Sequence, residues 1–291
     1  MKKLNNVLGL FDGISCGQVA LKRARIKYSK YYASEVDKNA ITVTQKNFPD
    51  TIQVGDVYNL KCKDLPKIDL LMGGSPCQGF SYAGKGLNFN DPRSKLFFEF
   101  VRMLKECKPK YFLFENVVML EKNKKIITDF LGVEPIFINS KLVSAQDRKR
   151  LYWTNIPNVT QPKDKQISFA EISDDGSVCA AMRGRRIDKA RGVRNDSDRS
   201  IPIHQYIECR RDNKTNCLTT VSKDNVAVKE RFESRLAKEV TDYRFLSIRE
   251  YELLQTLPLG YTDCVSETQR KKLIGNGWTV DVIAHILKGI K

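Results

Sequence analysis

The sequence has no apolar run long enough to cross a membrane. A transmembrane helix needs about 18 or more consecutive apolar residues, and the apolar segments of this chain are much shorter. Near the amino terminus, Asp12 interrupts the apolar residues before the core of a signal peptide can form. We therefore expect a soluble, cytoplasmic protein without a membrane partner.

Metal-binding and disulfide patterns are also missing. The chain contains two histidines and eight cysteines at irregular spacing, and it has no C-x-x-C pair. Structural zinc sites need clustered Cys and His ligands, and disulfide scaffolds need a regular cysteine framework. The sequence predicts no metal site and mostly buried, reduced cysteines. A cysteine on an exposed loop is therefore a candidate for chemistry.

Positive charge is in excess. Fifty Lys and Arg residues against 34 Asp and Glu give a formal net charge of +16, which favours a polyanionic partner such as nucleic acid. Ribosomal, membrane-surface and lysine-rich cytosolic proteins share this property, so charge alone does not identify the partner. With 41% apolar residues, the chain can bury a substantial core.

Residues 1–155 alternate apolar runs with amphipathic stretches. Strands are predicted at 7–11, 31–34, 68–72, 111–114 and 151–154, with helices between most of them. Alternation of this kind favours an α/β fold, with a mostly parallel, Rossmann-like sheet covered by helices. Ligands of such sheets bind at the carboxyl ends of the strands.

The pattern changes after about residue 158. Positions 183 to 211 contain nine Lys or Arg residues and four Asp or Glu residues. This excess of positive charge indicates an irregular, DNA-facing module over 156–246. A solvated or disordered insertion is the alternative. Ser247 and Glu250 predict a capping box that opens a helix, and 279–290 predicts a final helix. Residues 247–291 are thus expected to return to the domain formed by 1–155.

A glycine-containing turn follows the first predicted strand, at Phe11-Asp12-Gly13-Ile14-Ser15-Cys16-Gly17. Glycines allow a ligand to approach the backbone, and the next helix, predicted at 18–24, offers free N–H groups. Ser15 and Gln18 are expected to form its capping box. Glu35 and Asp56 lie at further strand ends and can contact ribose hydroxyls and an adenine amine. Without a phosphate-binding lysine motif, this set favours an adenosyl cofactor, although each carboxylate alone could be an ordinary surface residue.

The second group of residues carries nucleophilic chemistry. Cys77 follows a proline at a strand end, in Gly73-Gly74-Ser75-Pro76-Cys77-Gln78, where a thiolate can attack. Glu115 ends the next strand and can donate a hydrogen bond to a ring nitrogen. Alternation along the extended run 146–150 places Arg148 and Arg150 on one face. A buried structural cysteine and a solvated basic edge are the alternatives.

With these motifs in the same order, the chain resembles the DNA cytosine-5 methyltransferase family. The resemblance covers nearly the whole chain: the F-D-G-x-x-x-G turn, Glu35, Asp56, S-P-C-Q, F-E-N-V, Q-x-R-x-R and the Gly275-Asn276 pair. Gly73-Gly74-Ser75-Pro76-Cys77, residues 96–100 and Trp278 are similar to the eukaryotic de novo class, whereas Gln78-Gly79-Phe80-Ser81 and Asn276 look bacterial. A phage or prokaryotic member of the family would combine both.

The resemblance implies a reaction and a set of site residues. It implies transfer of a methyl group from S-adenosylmethionine to carbon 5 of a cytosine flipped out of duplex DNA, through a covalent cysteine adduct. Cys77, Glu115, Arg148 and Arg150 are the implied catalytic residues. The implied cofactor contacts are Phe11, Asp12, Gly13, Ile14, Glu35, Val36, Asp56, Val57, Leu96, Asn276 and Trp278, of which Trp278 fits a core position equally well. Gln78, Ser81, Lys85 and Arg93 are the expected DNA contacts, and Leu218-Thr219-Thr220 resembles an element that supports target recognition.

Other functions remain open at this level. One branch of the family methylates transfer RNA, but this chain lacks the cysteine-phenylalanine-threonine element of that branch. A catalytically inactive DNA-binding paralogue would not need Cys77, Glu115 and Arg148. A nicotinamide oxidoreductase would leave S-P-C-Q and F-E-N-V without a role. A restriction endonuclease partner is compatible with the sequence, as is an orphan enzyme.

Overall fold

The structure, a computed structural model, describes residues 3–75, 95–188, 190–229, 238–239 and 242–291. A seven-stranded sheet forms its centre, with the strand order β3-β2-β1-β4-β5-β7-β6. Neighbouring strands are parallel except at β7, which runs antiparallel to both β5 and β6. The strands are β1 (Lys3–Leu10), β2 (Lys27–Ser34), β3 (Ile52–Gln53), β4 (Leu70–Gly73), β5 (Tyr111–Val117), β6 (Ile136–Asn139) and β7 (Lys149–Thr154). The predicted α/β class is confirmed.

The two faces of this sheet bury separate apolar clusters. Because successive side chains of a strand point to opposite faces, Val7 and Leu70 join one cluster and their neighbours Leu8 and Leu71 join the other. The second cluster contains Phe97, Phe100 and other side chains of α3. The helices of this half are α1 (Cys16–Arg23), α2 (Lys38–Asn47), α3 (Lys95–Cys107) and α4 (Glu121–Leu131), with short 3-10 turns at Val57–Asn59, Cys62–Asp64 and Ser140–Leu142.

A second, antiparallel sheet occupies the region in which the sequence shows no clear periodicity. Its five strands follow the order β13-β11-β8-β12-β14. All but β8 and β11 are only two or three residues long, too short to leave an alternation in the sequence, so the expected irregular module contains regular structure. The elements of this region are α5 (Phe169–Ile172), β8 (Val178–Arg185), β9 (Ile187–Asp188), β10 (Val193–Arg194), β11 (His204–Cys209), a 3-10 turn at Ser222–Asp224, β12 (Val226–Val228), β13 (Lys238–Glu239) and β14 (Arg244–Phe245).

The last helices return to the main sheet. They are α6 (Ile248–Leu254), α7 (Glu267–Asn276) and α8 (Val280–Leu287), and α8 packs against α1. The predicted capping box of Ser247 and Glu250 is confirmed, with both reciprocal hydrogen bonds present. Apolar residues of α8 are fully buried in the same cluster as Val7, so the carboxyl-terminal segment completes the core of the first half.

Two local predictions are wrong. Ser15 does not cap α1 with its side chain, because its backbone is left-handed with φ of 56° and its hydroxyl donates to Asp12 instead. The predicted capping partner Gln18 donates to the Ser15 hydroxyl. The expectation of reduced cysteines also fails at Cys62 and Cys107, which form a disulfide. Of the described free cysteines, Cys16 and Cys179 are buried, and the others are at least partly exposed.

Candidate active site

The turn after β1 is tightly wound and bonded to the next strand. Phe11, Gly13 and Ser15 all have positive φ, between 53° and 57°, a conformation that favours glycine and strains other residues. The Gly13 N–H donates to Glu35 Oε2 at 2.7 Å. The other oxygen of Glu35 accepts the N–H groups of Val36 and Asp37. The turn and the end of β2 therefore form one hydrogen-bonded rim.

Asp12 points inward from this rim. Its carboxylate accepts hydrogen bonds from the Tyr31 hydroxyl, at 2.6 Å, and from Ser15. Burial raises the pKa of Asp12 to about 6, with a smaller contribution from the charge of Glu35, while the two hydroxyl donors oppose the shift. A Cβ atom at Gly9 would collide with this carboxylate, which explains the need for glycine within β1.

The remaining predicted cofactor residues differ in exposure. Ile14 and Val57 are buried, whereas Val36, two residues after the end of β2, is 67% exposed. No atom lies within 4 Å of a Cβ built on Gly13. Asp56 accepts the N–H of Tyr58, and the Val57 carbonyl accepts a hydrogen bond from Arg102 at 2.9 Å. Carboxylates held by backbone groups beside an exposed apolar side chain suit an adenosyl group, which offers hydroxyls, an amine and a flat ring.

The candidate nucleophile lies outside the described residues. The same is true of Gln78, Ser81, Lys85 and Arg93, so their predicted roles remain predictions. The last described residue before Cys77 is Ser75, which is buried. A Cβ on Gly74 would lie 2.8 Å from Glu115 Oε2 and 3.0 Å from Trp278 Nε1. Gly74, the first residue after β4, therefore lies close beside the predicted catalytic carboxylate.

Glu115 is held from two sides. Its Oε1 atom pairs with Arg150 Nε at 2.8 Å, and its Oε2 atom accepts the Trp278 indole N–H at 3.2 Å. The carboxylate is largely buried, with 8% of the residue exposed. The Arg150 guanidinium and the Trp278 indole N–H, one donor on each carboxylate oxygen, together restrict the carboxylate to one orientation. Trp278 therefore contacts the candidate catalytic group directly and borders Gly17 of the cofactor turn as well.

The two arginines of the Q-x-R-x-R run have different partners. Arg150 contacts Glu115. Arg148 donates to the Gly275 and Gly277 carbonyls at 3.2 and 2.9 Å, and so ties the run to the end of α7. The structure brings both arginines to one side of β7, as alternation predicts, but only Arg150 meets the carboxylate. Asn276 is exposed at the end of α7, and Leu96 is partly buried at the start of α3.

Two contributors to this arrangement were not predicted from the sequence: Tyr31 supports Asp12, and Cys217 accepts hydrogen bonds from both Arg148 and Arg150. Trp278 was predicted as a cofactor contact or a core residue, but its contact with Glu115 was not. Contacts between residues 69 and 163 positions apart leave no local pattern. The position of Cys217 directly before the Leu218-Thr219-Thr220 element was the only available signal. Among the described residues, no group of three or more His, Cys, Asp or Glu side chains could hold a metal ion.

This fold is shared with known methyltransferases. The methyltransferase EhMeth of Entamoeba histolytica has a TM-score of 0.70 at 17% identity, with 99% of this chain and 98% of that chain covered. DNMT2 of Spodoptera frugiperda has a TM-score of 0.68 at 18% identity, with 98% and 99% covered. At these identities the likeness concerns the fold, which is that of the S-adenosylmethionine-dependent methyltransferases. In the described part of the chain, no helix is long and apolar enough to span a bilayer.

The family follows from the sequence matches. The family model for C-5 cytosine-specific DNA methylases matches residues 5–175 and 151–291. The type II methyltransferase M1.ScrFI of Lactococcus lactis is 30% identical over 305 residues, which cover 96% of this chain and 76% of that protein. An orphan methyltransferase of Bacillus phage rho11s is 39% identical over 165 residues, 52% of this chain but only 33% of that protein. The chain belongs to the C-5 cytosine-specific DNA methylase family, and its match spans about a third of the length of this phage relative.

Proposed function

We propose that the chain is a DNA (cytosine-5-)-methyltransferase that modifies a cytosine flipped out of duplex DNA. The contact of Gly74 with Glu115 is the observation that carries this proposal. Gly74, three positions before Cys77, lies next to a buried carboxylate, and a thiolate and a neighbouring carboxyl group are the two groups that the proposed chemistry requires. The family membership supports the same reaction.

In the proposed mechanism, the thiolate of Cys77 adds to carbon 6 of the base. The electron pair of the carbon 5–carbon 6 bond then becomes nucleophilic at carbon 5, while Glu115 holds ring nitrogen 3 and the exocyclic amine. Carbon 5 then takes up the methyl group that S-adenosylmethionine would supply. Loss of the carbon 5 proton then restores the double bond and expels the thiolate. Arg150 acts here by holding Glu115, and Arg148 by holding the loop at 275–277.

The cofactor assignment rests on the rim of β1, β2 and the turn at Asp56. S-adenosylmethionine supplies the reactive methyl group when it is bound. Glu35 is oriented by the Gly13 N–H to receive ribose hydroxyls, and the exposed Val36 offers an apolar surface to the adenine. Asp56 would accept a hydrogen bond from the adenine amine. Trp278, between Gly17 and Glu115, would separate the cofactor side of the site from the base.

We assign distinct roles to the parts of the chain. Residues 1–155 and 247–291 would bind the cofactor and perform the chemistry, and residues 156–246, with their own antiparallel sheet, would recognise the DNA target. Duplex DNA is the proposed partner, in the cytoplasm of a prokaryotic or phage-infected cell. The rho11s relative is described as an orphan enzyme, and the reaction proposed here needs no restriction endonuclease, although one could accompany it.

The test compares wild-type protein with the Cys77→Ser variant. Each is incubated with labelled S-adenosylmethionine and unmodified duplex DNA, and methylated cytosines are mapped by bisulfite sequencing. We expect methylation in one recurrent sequence context for the wild type and none for the variant. The Cys264→Ser variant, at an exposed cysteine, is the matched control and should retain full activity.

Two results would contradict the proposal. Cofactor binding without any label in DNA would remove DNA as the substrate, and a parallel incubation with transfer RNA would then show whether RNA is modified instead. Full activity of the Cys77→Ser variant would exclude Cys77 as the nucleophile, since a serine hydroxyl is not ionised at neutral pH.

A further inference from the structure

Cys217 lies between the recognition region and the candidate catalytic carboxylate. The segment that carries Cys217 runs beside Gln146, which lies just before β7. Thr215 forms a β-bridge with Gln146, and the Leu218 N–H donates to Gln146 Oε1 at 3.0 Å. On its other side, the Cys217 carbonyl accepts a hydrogen bond from Asn225, just before β12. The backbone around Cys217 is therefore fixed both to the main sheet and to the second sheet.

The side chain of Cys217 meets both arginines of the Q-x-R-x-R run. Its Sγ atom lies 3.2 Å from Arg148 Nη1 and 3.6 Å from Arg150 Nη2. Arg150 uses a different nitrogen, Nε, to pair with Glu115. The guanidinium group of Arg150 thus contacts both the Cys217 sulfur and the Glu115 carboxylate. Because the guanidinium group is planar and rigid, it fixes the direction of both hydrogen bonds.

Charge in this cluster favours an ionised sulfur. Arg148 and Arg150 face the sulfur, and Glu115 lies behind Arg150. Burial alone would raise the pKa of the Cys217 thiol, but the two guanidinium groups outweigh it, and the pKa is lowered. As a thiolate, Cys217 can accept hydrogen bonds from both arginines at once, whereas a neutral thiol is a weak acceptor.

We propose that Cys217 is a positioning residue for the reaction: it holds the Arg150 guanidinium against Glu115 and thereby fixes the carboxylate that orients the target base. This inference rests on the proposed methyltransferase function. It assigns Cys217 no contact with the base or the cofactor. It also links the two parts of the chain, because the segment carrying the sulfur belongs to residues 156–246 and the carboxylate belongs to β5.

The first experiment measures the thiol itself and does not depend on activity. Alkylation of Cys217 by iodoacetamide is followed by peptide mass spectrometry as a function of pH, in the full-length protein and in Arg150→Gln and Arg148→Gln variants. We expect the midpoint of the wild-type profile below that of an ordinary cysteine thiol, and a rise of the midpoint in either arginine variant, because each removes one positive neighbour.

The second experiment measures catalysis in Cys217→Ala and Cys217→Ser. Loss of charge-assisted hydrogen bonds to Arg150 should slow single-turnover methylation by about ten- to a hundredfold in Cys217→Ala, with DNA and cofactor affinities unchanged. Serine keeps an acceptor without the charge and should restore part of the rate. In a pH–rate profile, the wild-type methylation rate should fall as the pH drops through the Cys217 alkylation midpoint. The Cys217→Ser variant should lack this decrease. Cys264→Ser is again the matched control.

The outcomes separate this inference from the proposed function. A normal rate in Cys217→Ala, or an effect confined to DNA affinity, would overturn the positioning role while leaving the methyltransferase intact. An alkylation midpoint unaffected by both arginine variants would show that the contact does not exist. Wild-type protein without any methyl transfer would overturn the proposed function and, with it, the catalytic role of Cys217.

Discussion

At the scale of single residues, Gly74 sets how closely the nucleophile segment approaches Glu115. A methyl group at this position would lie 2.8 Å from Glu115 Oε2 and 3.0 Å from Trp278 Nε1, so one of these side chains would have to move. We expect Gly74→Ala to lower the free energy of unfolding by about 1–3 kcal/mol, as overpacking does, and to reduce methylation by displacing the carboxylate. Urea unfolding and a single-turnover assay measure the two effects.

Gly275 provides the matched control for this substitution. It lies near the end of α7, and the nearest atoms to a Cβ built there are 3.9 Å away or more. Gly275→Ala should therefore fold at least as stably as the wild type, because alanine favours the helix. Equal losses in both variants would show that the contact of Gly74 with Glu115 has no special importance.

Asp12 makes stability depend on pH. Its folded-state pKa of about 6 exceeds the ordinary value of 3.8, mainly because of burial. The folded protein thus retains the proton more strongly than the unfolded chain, so stability should decrease as the pH rises from about 4 to about 6. Over this window we expect Asp12→Asn to gain up to about 3 kcal/mol relative to the wild type. Urea unfolding between pH 4.5 and 7 measures the difference.

The exposed Asp64 is the control for this pH series. Asp64→Asn should follow the wild-type curve, since its carboxyl group is in contact with solvent. A wild-type curve parallel to that of Asp12→Asn across the whole range would mean that Asp12 titrates normally in the folded protein, contrary to the prediction.

Residue types at strand ends could be predicted from the sequence, but their partners could not. The positions of Glu35 and Glu115 followed from the end of an apolar run. The indole of Trp278 meets Glu115 across 163 positions, and the sequence offered a cofactor contact and a core position as equal alternatives. Side-chain pairing of this kind depends on how α8 packs against α1, which no local pattern records.

At the scale of elements, the segment 210–218 is clamped to the main sheet by one buried lysine. Lys214 Nζ donates to three carbonyl oxygens, of Lys141, Ser144 and Ile167, at 3.0, 3.2 and 2.6 Å. Lys214→Met keeps the length of the side chain but leaves the carbonyls without their donor. We expect a loss of about 2–3 kcal/mol in the free energy of unfolding, with faster hydrogen exchange of residues 212–218.

Lys223 tests whether this loss is specific to the clamp. It lies in an exposed 3-10 turn of the same region, so Lys223→Met should change stability by only a few tenths of a kcal/mol. If Lys214→Met behaves like Lys223→Met and hydrogen exchange of the segment is unchanged, Arg210 and its pair with Asp147 would be sufficient to hold the segment.

The elements of the first half were easier to predict than those of the second for a physical reason. The second half of β1 (7–10), the whole of β4 and the first four residues of β5 (111–114) are buried and form short apolar runs in the sequence. Strands β12 to β14 contain two or three residues each, and they are defined by pairing, β12 with β8, β13 with β11 and β14 with β12, rather than by their own composition. Short antiparallel strands of this kind depend on tertiary contacts, so composition alone suggested an irregular loop.

At the scale of the whole molecule, the net charge of +16 does not translate directly into contacts with DNA. Several arginines of the basic stretch 183–211 are already neutralised: Arg183 pairs with Asp224, Arg185 with Glu208 and Arg194 with Asp196. An arginine held by a carboxylate has less to gain from a phosphate, because the existing pair must first be broken. Arg199 and Arg211 are exposed, and they are the better candidates for phosphate contacts.

Salt dependence of DNA binding distinguishes these two groups of arginines. Each phosphate contact contributes about 0.9 to the slope of log K against log salt. The double variant Arg199→Gln with Arg211→Gln should therefore reduce the slope by about 2 and weaken binding to all sequences alike, whereas Arg185→Gln should change it little. Fluorescence anisotropy titrations from 50 to 200 mM salt, on a specific and a random duplex, measure the slopes. A larger change in Arg185→Gln would mean that its pair with Glu208 opens on DNA, and that the basic face rearranges when it binds.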